Sequence, residues 1–350
     1  MVPLSVERLE AILARARGLR VVVVGDLMLD VYLTGSVGRI SPEAPVPVVH
    51  VQEERVALGG AANVAANVVA LGADCDLVGV VGPDAAGAEV VRALTAQGSG
   101  AIRPFLHERA DRPTTTKTRV IARSQQVVRF DREDAGDLPE AAAQEIAAQV
   151  RAAVAGADAL VLEDYNKGVL VPGVIGTALE AARAAGIPTV VDPKFRHFFH
   201  YQGATVFKPN VLELGTALAG TVHHQDDGWL AAARERLQCE HLLVTLGEEG
   251  MVLQSREGPA LRIPTLAREV YDVSGAGDTV TAALAVALAA GATIAEAAIL
   301  ANYAAGVEVA KQGVATVSPQ ELRAAVAYRL GGPAVPPLQS QGDPAWNRSR

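Results

Sequence analysis

Short apolar runs alternate with segments of helical periodicity along most of the chain, and this alternation limits the fold more than any other feature. Arg20-Val-Val-Val-Val-Gly25 has no polar face and reads as a strand buried on both sides. Ahead of it, Val6, Leu9, Ile12 and Leu13 share one helix face. Helical patterns over 59–71, 89–97, 140–155 and 172–185 then alternate with strand patterns over 76–81, 159–162, 188–192 and 205–208, and further strands follow at 242–246 and 251–254. Strands separated by helices imply an α/β fold, with a mostly parallel central sheet covered by helices on both faces. Two stretches, 46–56 and 114–131, are Val- and Thr-rich with no helix inside them. They are either edge strands or a small antiparallel sheet acting as a lid. The lid is the expectation, drawn from about 31–58 and 104–131 of one domain spanning 1–330. Residues 331–350 are rich in Pro and Gly and read as a flexible tail.

Half of the 350 residues are hydrophobic and only 4% are aromatic, so the core is expected to be aliphatic and rich in alanine. A net charge of −8 without a basic stripe argues against a nucleic-acid partner. The apolar runs at 21–24 and 284–292 are too short for a signal peptide or a membrane span. Cys75 and Cys239 stand alone, without metal-ligand spacing, and read as reduced, buried thiols of a cytoplasmic protein. The histidine pairs His197/His200 and His223/His224 lack a third ligand.

Five segments carry chemistry. Gly275-Ala276-Gly277-Asp278 opens a long apolar helix. Helix N-termini present unpaired N–H groups and partial positive charge, and small residues let an anion approach them. A carboxylate beside a bound anion makes sense as a base for a hydroxyl; the alternative is that Asp278 merely caps the helix. Gly59-Gly60-Ala-Ala-Asn63 opens a second apolar helix, with Asn63 able to donate to and accept from sugar hydroxyls. Asp26 and Asp30 follow the first strand, where ligands of open α/β sheets sit. Asn210 and Glu213 either share a hydrated Mg²⁺ or form a capping box. Thr245-Leu-Gly247 is a nucleotide-contact turn or a plain hairpin. No GxxxxGK[ST] loop is present.

Taken in order, these motifs resemble the ribokinase-like, phosphofructokinase-B family of carbohydrate kinases, from about Arg20 to Pro319. Within it, Arg39-Ile-Ser-Pro-Glu-Ala-Pro-Val-Pro, the run from Lys117 to Arg123, Asp164-Tyr-Asn-Lys167 and Asp192-Pro-Lys194 look like the bacterial members acting on D-glycero-β-D-manno-heptose 7-phosphate in ADP-heptose synthesis for surface glycans. Glu163 departs from that pattern, where Ser is expected, and so does Asn166. The resemblance implies a ribokinase-like fold, ATP and Mg²⁺ as cofactors, and leaves a monovalent cation open. It implies Asp278 as base with Gly275, Ala276 and Gly277 as the anion turn, and Asp30, Gly59, Gly60, Asn63 and Lys167 around the sugar. Lys117, Arg119 and Arg123 are expected at the 7-phosphate, and Lys194, Asn210, Glu213, Thr245, Gly247 and Asn302 at the nucleotide, with Asn210 and Glu213 reaching Mg²⁺ through water. A sugar phosphate and ATP are thus the expected partners, with no membrane, and a homodimer through the lid. Many relatives of this kind carry a second domain with an HxGH motif; none occurs here, so a stand-alone kinase is expected. The alternatives are a kinase of the same family for a fructose phosphate or ribose, or a non-catalytic sugar-binding regulator.

Overall fold

A computed structural model describes residues 4–97, 100–123, 125–267 and 270–329. The tail at 331–350 lies outside them. In chain order the elements are α1 (Val6–Ala16), β1 (Arg20–Gly25), β2 (Leu27–Ile40), β3 (Pro47–Gly60), α2 (Ala61–Ala70), β4 (Asp74–Val81), α3 (Ala85–Ala96), β5 (Ile102–Glu108), β6 (Thr115–Ala122), β7 (Gln125–Arg132), α4 (Glu140–Val154) and β8 (Ala159–Glu163). There follow α5 (Pro172–Ala185), β9 (Thr189–Asp192), β10 (Val206–Phe207), α6 (Val211–Leu218), α7 (Asp227–Leu237), β11 (His241–Thr245), β12 (Met251–Ser255), β13 (Leu261–Ile263), α8 (Ala276–Ala289), α9 (Ile294–Glu308) and α10 (Pro319–Arg329).

The main sheet runs β13-β12-β11-β10-β9-β8-β1-β4-β5, parallel from β11 to β5 and antiparallel across β12 and β13. Central β1 shows why its run has no polar face. Val21 and Val23 enter a core built with α1, α2, α8 and α9, whereas Val22 and Val24 enter a second core built with α4, α5 and α7. All four valines are fully buried. Successive strand side chains point to opposite faces, so a sheet covered on both sides needs apolar residues at every position.

A second, four-stranded sheet, β3-β2-β6-β7, stands on the first. It confirms a strand lid but corrects its outline. The lid is mixed rather than antiparallel, because β2 pairs parallel with β6 between two antiparallel pairs. Residues 104–108 belong to β5 and pair with β4 in the main sheet, and not with the lid. The lid reaches instead back to Leu27, with only Asp26 between it and the end of β1. This root matters: Asp26 links the two sheets, and β3 descends through Gly59 and Gly60 directly into α2. The expected helix start at 59 is therefore two residues early.

Candidate active site

The site forms where the C-terminal ends of β1, β8, β9 and β10 meet the N-termini of α2 and α8. In open α/β sheets this edge collects ligands because loops there diverge from the strands. Gly275, in the left-handed region at φ 94°, is the N-cap of α8 and turns the chain into it. Asp278 thus falls in the first helical turn, 3% exposed. Its two oxygens have separate donors: Asn63 Nδ2 at 2.8 Å and Tyr165 OH at 2.7 Å. Burial pushes its carboxyl up to about 6, against the lowering effect of those two hydrogen bonds, with Asp192 raising it further. A carboxylate so placed is ionised at neutral pH yet basic enough to share a hydroxyl proton.

Asn63 is therefore tied to Asp278, joining the starts of α2 and α8. It is oriented from below by Asn67, whose Nδ2 donates to Asn63 O and Oδ1, both at 3.1 Å. Asp26 turns out to be committed elsewhere: its carboxylate accepts from the N–H groups of Tyr165 (2.8 Å), Lys167 (2.9 Å) and Val169 (3.1 Å). It holds the loop that delivers Tyr165 and is not a free sugar ligand. Asp30, on β2, lies over Gly59 and is ion-paired with Arg119 of β6, whose guanidinium also stacks 5.2 Å from the Tyr32 ring.

The remaining expected residues divide. Lys117 and Lys167 face one another near the lid root; Lys167 Nζ pairs with Glu133 at 2.8 Å and Lys117 Nζ lies 3.9 Å from Asp131. Burial, with Lys167 nearby, lowers the Lys117 pKa despite Asp131. Arg123 is not part of this group. It sits exposed, at φ 50°, on the β6–β7 turn and donates to Val37 O at 3.1 Å, at the far end of the lid. Its place in sequence suggested a site shared with Lys117, but alternate residues share a face and not a location, and the six residues from Lys117 to Arg123 span about 20 Å of strand.

On the other side, Asn210 and Glu213 do form a capping box, Asn210 Oδ1 accepting from Glu213 N at 2.8 Å and Glu213 Oε2 from Asn210 N at 2.9 Å. The second Glu213 oxygen takes the Lys194 ammonium, which also lies 4.9 Å above the Tyr165 ring. The capping reading is the one the geometry bears out, and with Asn210 N–H on one oxygen and Lys194 on the other, neither carboxylate oxygen of Glu213 is without a partner. Thr245 ends β11 beside Asn210, its N–H donating to Pro209 O at 3.0 Å. Gly247 starts a one-turn 3₁₀ helix (Gly247–Glu249) at φ 61°, so the segment is a hairpin connection between β11 and β12. Asn302, on α9, is buried and donates to Pro264 O at 2.8 Å, which anchors the loop after β13.

Four residues had no role in the sequence reading: Tyr165, Glu163, Asp192 and Lys208. Lys208 Nζ and Asp192 Oδ2 form a buried pair at 2.7 Å beside Gly277. Burial alone would lower Lys208, but Asp192 and Glu163 outweigh it and its pKa is raised. Burial, then Asp192 and Asp278, push Glu163 well above the ordinary carboxylate range. A signal for all four existed: each is a polar residue at or just past the carboxyl end of an apolar strand run. Both cysteines are buried and unpaired, as expected. No helix among the described residues is long and apolar enough to cross a membrane.

Comparison with known proteins agrees with this geometry. The model of the pfkB family carbohydrate kinases matches residues 19–321. The chain is 48% identical over 322 residues to the "Bifunctional protein HldE" of Pelobacter propionicus, and 49% identical over 323 residues to that of Halorhodospira halophila, covering 91% of this chain in each case. It spans 65% of the length of these relatives. Among solved structures, ribokinase of Arabidopsis thaliana with ribose and ATP superposes at TM-score 0.69 and 22% identity, and phosphofructokinase-2 of Escherichia coli at 0.73 and 18%; each match covers 89% of this chain and 99% of the other. These show a shared ribokinase-like fold. The chain belongs to the pfkB family of carbohydrate kinases.

Proposed function

We propose that this kinase transfers the γ-phosphoryl group of ATP to the anomeric O-1 of D-glycero-β-D-manno-heptose 7-phosphate, giving the 1,7-bisphosphate and ADP, in the cytoplasm. The observation that carries the reaction type is Asp278, placed by the glycine turn inside the first turn of α8 and held by Asn63 and Tyr165. Asp278 takes the hydroxyl proton as the oxygen attacks phosphorus, while N–H groups of Gly275, Ala276 and Gly277 meet the charge on the transferring group. The heptose is supported by the Arg39-to-Pro47 segment and by the 44–49% identity to proteins named HldE.

Asp30, Gly59, Gly60 and Asn63 line the sugar side. Lys117 and Lys167, brought together at the lid root, suit the 7-phosphate better than Arg123 does; Arg119 acts through Asp30. Lys194, Thr245, Gly247 and the region of Asn302 border the nucleotide, and Asn210 with Glu213 meet the Mg²⁺ that accompanies ATP and offsets phosphate charge. A monovalent cation belongs to the proposal too. Glu308 lies behind the glycine turn with neither carboxylate oxygen hydrogen-bonded among the described residues, and burial, then Asp278 and Asp272, push it up to about 9. A cation there would relieve that burial cost. The lid's outer strand β7 is exposed throughout, with Val128 at 48% and Phe130 at 54%, which favours pairing of two lids in a homodimer. Light scattering reads that directly, and a monomeric mass would refute it.

The substrate is tested by ADP release with Mg-ATP and the heptose 7-phosphate, against fructose 6-phosphate, fructose 1-phosphate and ribose. Preference for the heptose, lost in Asp278→Asn, is the expected result. Turnover of another sugar alone would keep the mechanism and discard the substrate; no turnover of any would leave a binding protein on a kinase fold.

A further inference from the structure

Asn67 stands one turn of α2 beyond Asn63, and it is 0% exposed. Helix interiors disfavour asparagine, and a buried amide costs free energy unless its donors and acceptor are met. Both ends of the Asn67 amide are met, and the partners fix which way round it sits. Its Oδ1 accepts from the backbone N–H of Val317 at 3.3 Å and from Thr279 Oγ1 at 3.4 Å. A backbone N–H can only donate, so the oxygen must face Val317 and the Nδ2 group must face Asn63. There Nδ2 donates to Asn63 Oδ1 at 3.1 Å. With that oxygen engaged, the other half of the Asn63 amide is left to face Asp278, to which Nδ2 donates at 2.8 Å. The amide is also packed against the glycine turn, since a Cβ added to Gly275 would stand 3.0 Å from Asn63 Nδ2.

We propose that Asn67 is a positioning residue of the transfer: it locks the Asn63 amide so that an N–H, and not the carbonyl oxygen, faces Asp278. The inference rests on Asp278 being the base and needs no assumption about the acceptor sugar. The lock matters because a donor that can reverse its role does not hold a base ready. The Tyr165 hydroxyl can rotate and accept as readily as donate. An unlocked asparagine can do the same by turning its amide over. Either would then accept a hydrogen bond from the protonated carboxyl and stabilise the form that cannot act as a base. A locked Nδ2 can only donate, and so favours the ionised carboxylate. Other groups also act on Asp278: Glu163 from β8, Tyr165 from the loop after it, Asp192 from β9, Lys208 beyond β10 and Glu308 from α9. The hydrogen bonds of the Asn67 side chain go to Asn63, Thr279 and Val317 and to none of these. Its effect on the base therefore runs through Asn63.

The test is the acid limb of kcat/KM, measured on the full chain with Mg-ATP and whichever of the sugars named above it turns over. Asn67→Leu keeps the volume and removes the amide. The limb should move upward by about one pH unit, the weight of a hydrogen bond to a charged group. In an Asn63→Ala background, which moves the limb by itself, Asn67→Leu should add nothing. A residue that only joins α2 to its neighbours would lower the melting temperature in both backgrounds and leave the limb alone. Asn67→Ser is the second variant, should Asn67→Leu fail to fold by circular dichroism. A serine hydroxyl bonds back to the carbonyl four residues earlier, so it keeps the helix contact with Asn63 O but cannot hold the Asn63 side chain; the same shift is expected. A limb that stays or falls in the folded variants overturns the proposal, and so does any further upward shift on top of Asn63→Ala. Failure of the base reading looks different: Asn63→Ala then leaves the limb in place as well, or no sugar is turned over, and the lock falls with the base.

Discussion

Two glycine turns open two helices that pack side by side, yet they are glycine for different reasons. Gly60 sits at φ 56°, and a Cβ there would lie 2.5 Å from Asp26 O and 2.6 Å from Met28 Cε. Gly59 is filled from the other side, where its Cβ would meet Asp30 Oδ2 at 2.4 Å. The first turn is glycine because the protein itself occupies the space, at the joint between lid and sheet. Gly277 differs. Its φ is not left-handed, and the nearest atoms to an added Cβ are at ordinary contact distance, 3.6 and 3.7 Å. Nothing in the fold forbids alanine there. A small residue at that position is useful to something that arrives from outside, which is what an anion approaching a helix N-terminus requires.

The largest expected effect breaks the second turn's chemistry without harming its architecture. Asp278→Asn should lower turnover by about 10²–10⁴-fold, the usual weight of a positioned base. It should also stabilise the fold. The folded-state carboxyl is raised from 3.8 to about 6, so the native state favours the protonated form, and stability is lost as pH climbs from about 4 to about 6. Two units correspond to about 3 kcal/mol at most. Thermal melts in chelator should show the variant ahead of the parent above pH 6 and level with it below pH 4. A parent that is the more stable at pH 8 would contradict the buried-charge account.

Next in size is the first turn. Gly60→Ala forces an L side chain into strained backbone and against a carbonyl, and should cost about 2 kcal/mol or more of stability. Gly277→Ala should leave the melting temperature nearly unchanged and weaken catalysis, chiefly through the phosphate. If both variants melt alike, the contrast between the turns is wrong.

Much of this was legible in the sequence, and the misses share one cause. The doubly covered sheet followed from Val21–Val24, since only burial on both faces tolerates four consecutive valines. The glycine turn that puts Asp278 into the first turn of α8 followed from small residues placed before an apolar helix. What could not be read locally was which side chains the crossovers bring together. Tyr165 and Asp278 are 113 positions apart, and their hydrogen bond exists because β8 ends beside the start of α8. Asp26 looked like a sugar ligand because carboxylates after a first strand often are; its three N–H donors come from a loop some 140 residues on. Arg123 looked like a phosphate ligand because it stands close to Lys117 and Arg119 in sequence, until strand length carried it to the lid tip. The glycine pairs themselves read alike in sequence, since φ and the identity of the occluding atoms are properties of the assembled chain.

The smallest effect tests how the second turn is tuned. Tyr165 donates to Asp278 and thereby lowers its proton affinity, in opposition to burial. Tyr165→Phe removes that donor while keeping the ring under Lys194. The acid limb of kcat/KM, set by Asp278 in the free enzyme near pH 6, should therefore move upward in the variant. The sign is fixed: a base that holds its proton more tightly is inactive over a wider acidic range. Above the limb, the two enzymes should turn over at rates within about thirtyfold, because one hydrogen bond to an ionised carboxylate contributes about 2 kcal/mol. A limb that stays in place while kcat falls by orders of magnitude would mean that Tyr165 touches the reacting hydroxyl directly, and the tuning role would have to be given up.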